Sequence, residues 1–218
     1  MTFRVRALLW PATRHLLLLA GALVMLMPFI WMLSTASKPQ NEIFSSDLHL
    51  IPQHFALWDN LRTAFAKADL WRYLLNGLVV TISIFGLQVL IALPAAYALA
   101  KLRFLGRDVL FALVMFCILI PPQATAIPVF LLLHKLGVLD SYAALVLPFT
   151  ISVFGIFLMR QFFKTVPDDL IDAARMDGIS EFGIVWRVML PTAIPAVTAF
   201  GIFSVVAHWN DYFWPLIV

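Results

Sequence analysis

Long apolar runs broken by short polar stretches dominate this chain. Five stand out, at residues 16–33, 73–100, 109–133, 142–159 and 192–207, and none contains Asp, Glu, Lys or Arg. Each has about 16 residues or more, or roughly 24 Å of helix at 1.5 Å per residue, against a hydrocarbon core about 30 Å thick. The pattern predicts an all-α, polytopic membrane helix bundle. A cleaved signal peptide competes for the first run, but that run is long and no small-x-small cleavage site follows it promptly. Pro94, Pro121, Pro122, Pro128, Pro148 and Pro195 fall inside or at the edges of the later runs, so kinked or broken helices are expected there. The sharpest break is expected at Pro121-Pro122-Gln123, at mid-membrane depth, either lining a pathway or serving packing.

Composition strengthens this reading. The 218 residues are 62% hydrophobic and 12% charged, whereas soluble domains run near 45–50% and about 25%. A soluble enzyme is excluded. The lone cysteine, Cys117, permits neither an intrachain disulfide nor a thiolate metal cluster, and reads as a small apolar helix residue. The net charge of +3 is small, and its basic residues sit between apolar runs, where they report topology rather than nucleic-acid binding.

With the N-terminus inside, Arg4, Arg6, Arg14, Lys101, Arg103, Arg107, Arg160, Lys164, Arg175 and Arg187 are cytoplasmic. Only Lys38, Arg62, Lys67, Arg72 and Lys135 are then outside. This bias predicts a cytoplasmic N-terminus (1–15), a first membrane helix (16–33), an external loop (34–72) and a membrane core (73–218) with a cytoplasmic loop at 161–191.

The cytoplasmic loop is patterned. Val166-Pro167-Asp168-Asp169 reads as a helix start, with proline in the first turn and acids at the positive helix end. Leu170, Ile171, Ala173 and Ala174 form the expected apolar face, and Gly178 supplies a left-handed stop. Ser180 caps a second helix running through Phe182, Ile184, Val185, Trp186 and Val188 to Pro191. An amphipathic element lying on lipid is the alternative. Asp168, Asp169, Asp172, Asp177 and Glu181 disfavour the anionic inner leaflet and point to a protein partner.

The run Asp172-Ala173-Ala174, then Gly178, then Val188-x-Leu190-Pro191 resembles the "EAA" loop of permeases in ATP-binding-cassette importers, E-A-A-x3-G-x9-I-x-L-P. Spacing matches throughout, with Asp172 for Glu and Val188 for Ile as conservative departures. Leu119-Ile120-Pro121-Pro122-Gln123, Ile127-Pro128, the stretch from Leu136 to Tyr142, Arg160-Gln161-Phe162-Phe163 and Trp209-Asn210-Asp211 are similar to maltose-type permeases of the carbohydrate-uptake class, in particular the smaller permease. The resemblance implies an inner-membrane subunit that performs no chemistry and partners an ATPase pair, a second permease and an external solute-binding protein. It further implies that the loop docks on the ATPase through Asp172, Ala173, Ala174 and Gly178, with Leu190 and Pro191 completing the motif. It also implies six spans. Five are visible, and the chain stops at the apolar run Trp214-Pro215-Leu216-Ile217-Val218, so a final helix is expected to be missing.

No G-x-x-x-x-G-K-[ST] loop, H-E-x-x-H pair or G-x-S-x-G elbow occurs, so no cofactor or catalytic role is expected and ATP hydrolysis is assigned to a partner. The runs also lack the central ionisable group of a proton-coupled carrier. Candidate substrate-path residues are Asn76, Gln88, Gln123, Thr150, Ser152 and Ser204, with Thr81, Ser83 and Thr125 beside them; interhelical hydrogen bonding is the alternative for each. His208, Trp209 and Asn210 fall at the outer end of the fifth run, where an interfacial anchor is equally expected. An ion-coupled carrier and a truncated, non-transporting subunit are the rival functions.

Overall fold

A computed structural model describes residues 2–44 and 49–218, with side chains described from Thr13 onward. Arg4 and Arg6 lie outside those described side chains. The described residues are helical, with no strand, and form two units, 1–73 and 74–218.

In the first unit, the basic start and the first apolar run form one helix, α1 (Thr2–Ala36), rather than a tail followed by a span. Its described surface is apolar and open: Leu17, Val24 and Met25 are each about 70% exposed, as a lipid-facing helix requires. Two short helices follow, α2 (Gln40–Ile43) and α3 (Leu57–Lys67). They are tied to the end of α1, where four backbone carbonyls lack helical partners. Asn60 donates its side-chain amide to the carbonyls of Ala36 (2.9 Å) and Lys38 (2.7 Å). Lys38 lies buried beside Trp31 and donates to the His49 carbonyl.

Helix α4 (Leu70–Lys101) carries the second apolar run unbroken despite Pro94. Of the five runs, only the first two form single helices long and apolar enough to span; the third and fourth are bent pairs, and the fifth is a helix bent against the loop segment before it. The third is α5 (Arg107–Ile118) and α6 (Pro122–Leu136), crossing at 99°. At roughly 18 and 22 Å neither crosses the core alone, and the sharpest of the three bends falls at Pro121-Pro122-Gln123, where it is expected. Pro121 has no amide to extend α5, and Pro122 at the start of α6 needs none, so the chain turns between them. The fourth is α7 (Tyr142–Val146), a 3₁₀ turn containing Pro148, and α8 (Val153–Phe163), bent by 43°.

Next come α9 (Asp168–Met176) and α10 (Glu181–Ile184), the latter continuing through a π-helical segment, Val185–Met189, into α11 (Leu190–Thr192). The fifth run is α12 (Ile194–Trp209), followed by α13 (Phe213–Ile217). The α10–α11 rod meets α12–α13 at 82°.

Close helix approach fixes the second unit. A Cβ built on Gly155 of α8 would lie 2.8 Å from the Phe200 ring of α12. One on Gly201 of α12 would lie 2.9 Å from the Phe85 ring of α4. Each glycine thus admits an aromatic ring from its neighbour, and Phe85 and Phe200 meet with centroids 6.1 Å apart. Arg160, 6% exposed, joins three elements: its Nε donates to the Leu99 carbonyl at 3.1 Å, and its guanidinium lies 3.5 Å from the Phe111 ring centre. That stacking suits a weakly hydrated planar cation.

Candidate functional site

The patterned loop forms two helices around a glycine, as its residues predict. Pro167 takes the position before α9, and Asp168 and Asp169 occupy the first turn. Gly178 has φ +77°, while the Ile179 amide donates to the Ala174 carbonyl and the Gly178 amide to that of Arg175, each at 3.0 Å. This paired closure satisfies the last α9 carbonyls and requires the left-handed residue there. Ser180 accepts the Gly183 amide at 3.2 Å, capping α10.

The apolar face of α9 is narrower than expected. Ile171 and Ala174 are buried, whereas Leu170 and Ala173 are exposed. The Ala173-Ala174 pair therefore divides: Ala174 packs inward, and Ala173 lies open with Asp172, Gly178 and Met176. At the motif's far end Leu190 is half-buried and Pro191 exposed. Ile171, Ala174, Ile184, Val185 and Met189 share one core with Leu93 and Tyr97 of α4, Met159 and Phe163 of α8, and Phe200 of α12.

Polar clamps, which the sequence reading missed, reinforce that core. The Tyr97 hydroxyl donates to Glu181 at 2.6 Å. Arg175 grips Glu181 through Nε (2.7 Å) and Nη2 (3.3 Å), and holds Asp172 through Nη1 at 2.9 Å. Lys101, the last residue of α4, donates to Asp168 and to the Val166 carbonyl. Helix α4 thus grips both arms of the loop. Its only sequence signals were a tyrosine near the end of an apolar run and the lysine closing it.

These clamps set a pH dependence. Hydrogen bonds from Arg175 and then Tyr97 hold the Glu181 carboxyl below its ordinary value of 4.5, and the Lys101 hydrogen bond and charge lower Asp168 from 3.8. A depressed folded-state pKa contributes attachment that is complete above the unfolded-state value and is lost as pH falls through the folded one. Amide hydrogen exchange of residues 168–184 is therefore expected to keep its protection from pH 8 to 5, after correction for intrinsic rates. Protection should fall only below about pH 4.5. A loss centred near pH 6.5 would refute the carboxylate clamps.

The candidate path residues separate in space. Ser204 donates to Gln88 Oε1 at 2.6 Å, while Gln88 Nε2 donates to the Phe149 carbonyl at 2.8 Å and lies 3.3 Å from His208 Nε2. Gln88 and Ser204 are thus brought together with His208, joining α4 and α12 to the 3₁₀ turn. Thr150 donates to the Leu147 carbonyl, Ser152 caps α8 by accepting the Gly155 amide, and Asn76 accepts from the Tyr142 hydroxyl. Gln123 stands apart from these, on a cavity between α6 and the end of α12.

Known proteins share this architecture. Residues 88–218 match the family described as binding-protein-dependent transport system inner membrane component. The chain is 33% identical over 200 residues to the arabinooligosaccharides transport system permease protein AraQ of Halalkalibacterium halodurans, covering 90% of this chain and 71% of that protein. It is 30% identical over 210 residues to the sn-glycerol-3-phosphate transport system permease protein UgpE of Yersinia pestis, covering 94% and 74%. It superposes with TM-score 0.83 and 27% identity on a chain from the crystal structure of a bacterial ABC transporter involved in the import of the acidic polysaccharide alginate, covering 96% of this chain and 74% of that one. A multi-pass chain bearing this match over most of its second unit belongs to the binding-protein-dependent importer family, as a membrane permease subunit rather than an ATPase.

Proposed function

We propose that this chain is one permease half of an importer for sugars or related polyols, driven by a separate ATPase pair that docks on the loop at 161–191. Support for the substrate class comes from relatives named for arabinooligosaccharides and sn-glycerol 3-phosphate, and from the structural neighbour's alginate. A second, different permease subunit completes the path, and an external binding protein delivers the solute. The N-terminus is cytoplasmic, residues 34–72 face outward, and Asp172, Ala173, Ala174, Gly178, Leu190 and Pro191 form the docking and hinge surface.

The observation that carries this reading is how the loop is fastened. Exposed Asp172, Ala173 and Met176 offer a contact surface on α9. Beneath it the loop shares a core with α4, α8 and α12, and Tyr97 and Lys101 clamp it. A displacement of α9 by a partner must then move the ends of those helices, because packed cores shift between discrete arrangements rather than deforming continuously. Alternating access follows as rocking of helices about the proline breaks.

Ala173→Cys in a Cys117→Ser background tests the docking. In the assembled complex, a bifunctional thiol reagent is expected to join the Ala173→Cys variant to an ATPase subunit carrying a cysteine scan of its surface, with ATP protecting some pairs and not others. Carbohydrate uptake into proteoliposomes should require the ATPase. Uptake by the permeases alone would instead establish an ion-coupled carrier, and absence of any crosslink would overturn the docking surface.

A further inference from the structure

The cavity at the end of α12 remote from the loop has the makings of a ligand site that the coupling machinery does not use. It encloses about 530 Å³, within the roughly 300–1,000 Å³ of small-molecule pockets. The α5–α6 bend, the 3₁₀ turn and the start of α13 surround it, and its lining combines Gln123, His208 and Asp211 with Phe149, Phe213 and Trp214.

Each polar group there has a defined state. His208 is held at Nε2 by Gln88 and packs on Phe149 with ring centroids 4.9 Å apart. Asp211 accepts the Phe213 and Trp214 amides through Oδ1, at 3.0 and 3.2 Å, while Oδ2 has no protein donor among the described residues. The Gln123 side chain likewise has no protein partner among the described residues and is exposed. The indole of Trp214 is fixed edge-on to Phe149 and donates to the Ala144 carbonyl at 2.9 Å. The site therefore offers a free carboxylate oxygen, a free amide and an imidazole beside pre-positioned aromatic rings.

We propose that this cavity is a saccharide subsite on this chain's own wall of the path, selective for an uncharged sugar ring; the inference rests on the carbohydrate reading above. Hydroxyls donate to the free Asp211 oxygen and exchange hydrogen bonds with the Gln123 amide, and the C–H faces of the ring cover aromatic surface. The lining holds a carboxylate and neither lysine nor arginine. A uronate or phosphate brought here would meet like charge with no cation to pair it, so the site rejects anionic solutes.

The test uses the assembled permease–ATPase complex without binding protein, with binding read by saturation-transfer NMR. Probes are neutral trisaccharides (arabinotriose, xylotriose, maltotriose) and trigalacturonate; uptake by the complete importer is measured in parallel. The wild type is expected to bind at least one neutral probe and to favour it over trigalacturonate tenfold or more. Gln123→Trp, at an exposed position, should weaken neutral binding at least tenfold by filling the cavity, and Gln123→Ala several-fold. Asp211→Asn keeps an oxygen for the α13 amides but removes the charge, and should narrow the neutral-over-anionic preference at least fivefold. Neutral affinity unchanged in both Gln123 variants, or a wild type that prefers trigalacturonate, would overturn the subsite while carbohydrate uptake by the importer leaves the broader reading intact. Absence of uptake for any saccharide would overturn both.

Discussion

Gly178→Trp is expected to abolish uptake by at least tenfold while the chain still inserts and assembles. The backbone there has φ +77°, and a Cβ would meet nothing within 4 Å, so the obstacle is conformation rather than space. Forcing an L side chain into that region costs about 1–2 kcal/mol. That is too little to unfold the protein, but enough to open the turn that sets α9 against α10. The indole would also stand on the exposed surface beside Ala173, where the ATPase is proposed to seat. Two controls separate these effects. Gly178→Asn should retain more than half of wild-type uptake, because asparagine tolerates the left-handed region; Gly178→Ala should fall between the two. ATP hydrolysis in assembled complexes should continue at its basal rate in the tryptophan variant without stimulation by loaded binding protein. Wild-type uptake by that variant would rule out the loop as the coupling element.

Gly155→Leu should be the most damaging substitution to the packing of the second unit. The first added carbon would already lie 2.8 Å from the Phe200 ring, and three more would follow it into the α8–α12 contact. Overpacking of this kind costs about 1–3 kcal/mol, which corresponds to a loss of roughly 2–12 °C in thermal midpoint for a chain of this size. The midpoint in detergent, followed by fluorescence-detected gel filtration, is the measurement. Phe200→Ala alone should also destabilise, but combined with Gly155→Leu it should restore part of the loss, because the leucine then occupies the space the ring vacates. Strict additivity of the two changes would mean the contact is not the cause.

The parts of this structure written in local sequence were legible and those written in distant pairs were not. The start of α9, the left-handed stop at Gly178 and the Ser180 cap each depend on residues within a few positions, and each stands where its chemistry predicts. The apolar runs likewise marked the membrane helices, because lipid exposure leaves a compositional signature. Their geometry was less accessible: Pro121-Pro122 announces a break, but the 99° between α5 and α6 depends on how α6 packs with α7 and α13. The clamps were invisible for the same reason. Tyr97 and Glu181 are 84 residues apart, and Lys101 and Asp168 are 67 apart, so no window of sequence contains either pair. Lys101 and Arg175 were counted only as topology charges, although each also binds the loop. Among the polar helix residues, local pattern could not separate Gln88, committed to Ser204, from Gln123, which is uncommitted.

The π-helical segment Val185–Met189 begins inside the stretch between Gly178 and Val188 and runs through its end, a stretch whose length the loop motif specifies while leaving its residues open. A wide turn accommodates one residue more than an ordinary helical turn, and each residue turns a helix by about 100°. Deleting a single position would thus rotate Glu181 away from Tyr97 with no change of side-chain chemistry. In this part of the chain the number of residues carries information as well as their identity, and an insertion or deletion is expected to break the clamp even where Ser180, Glu181, Ile184 and Val185 are all kept.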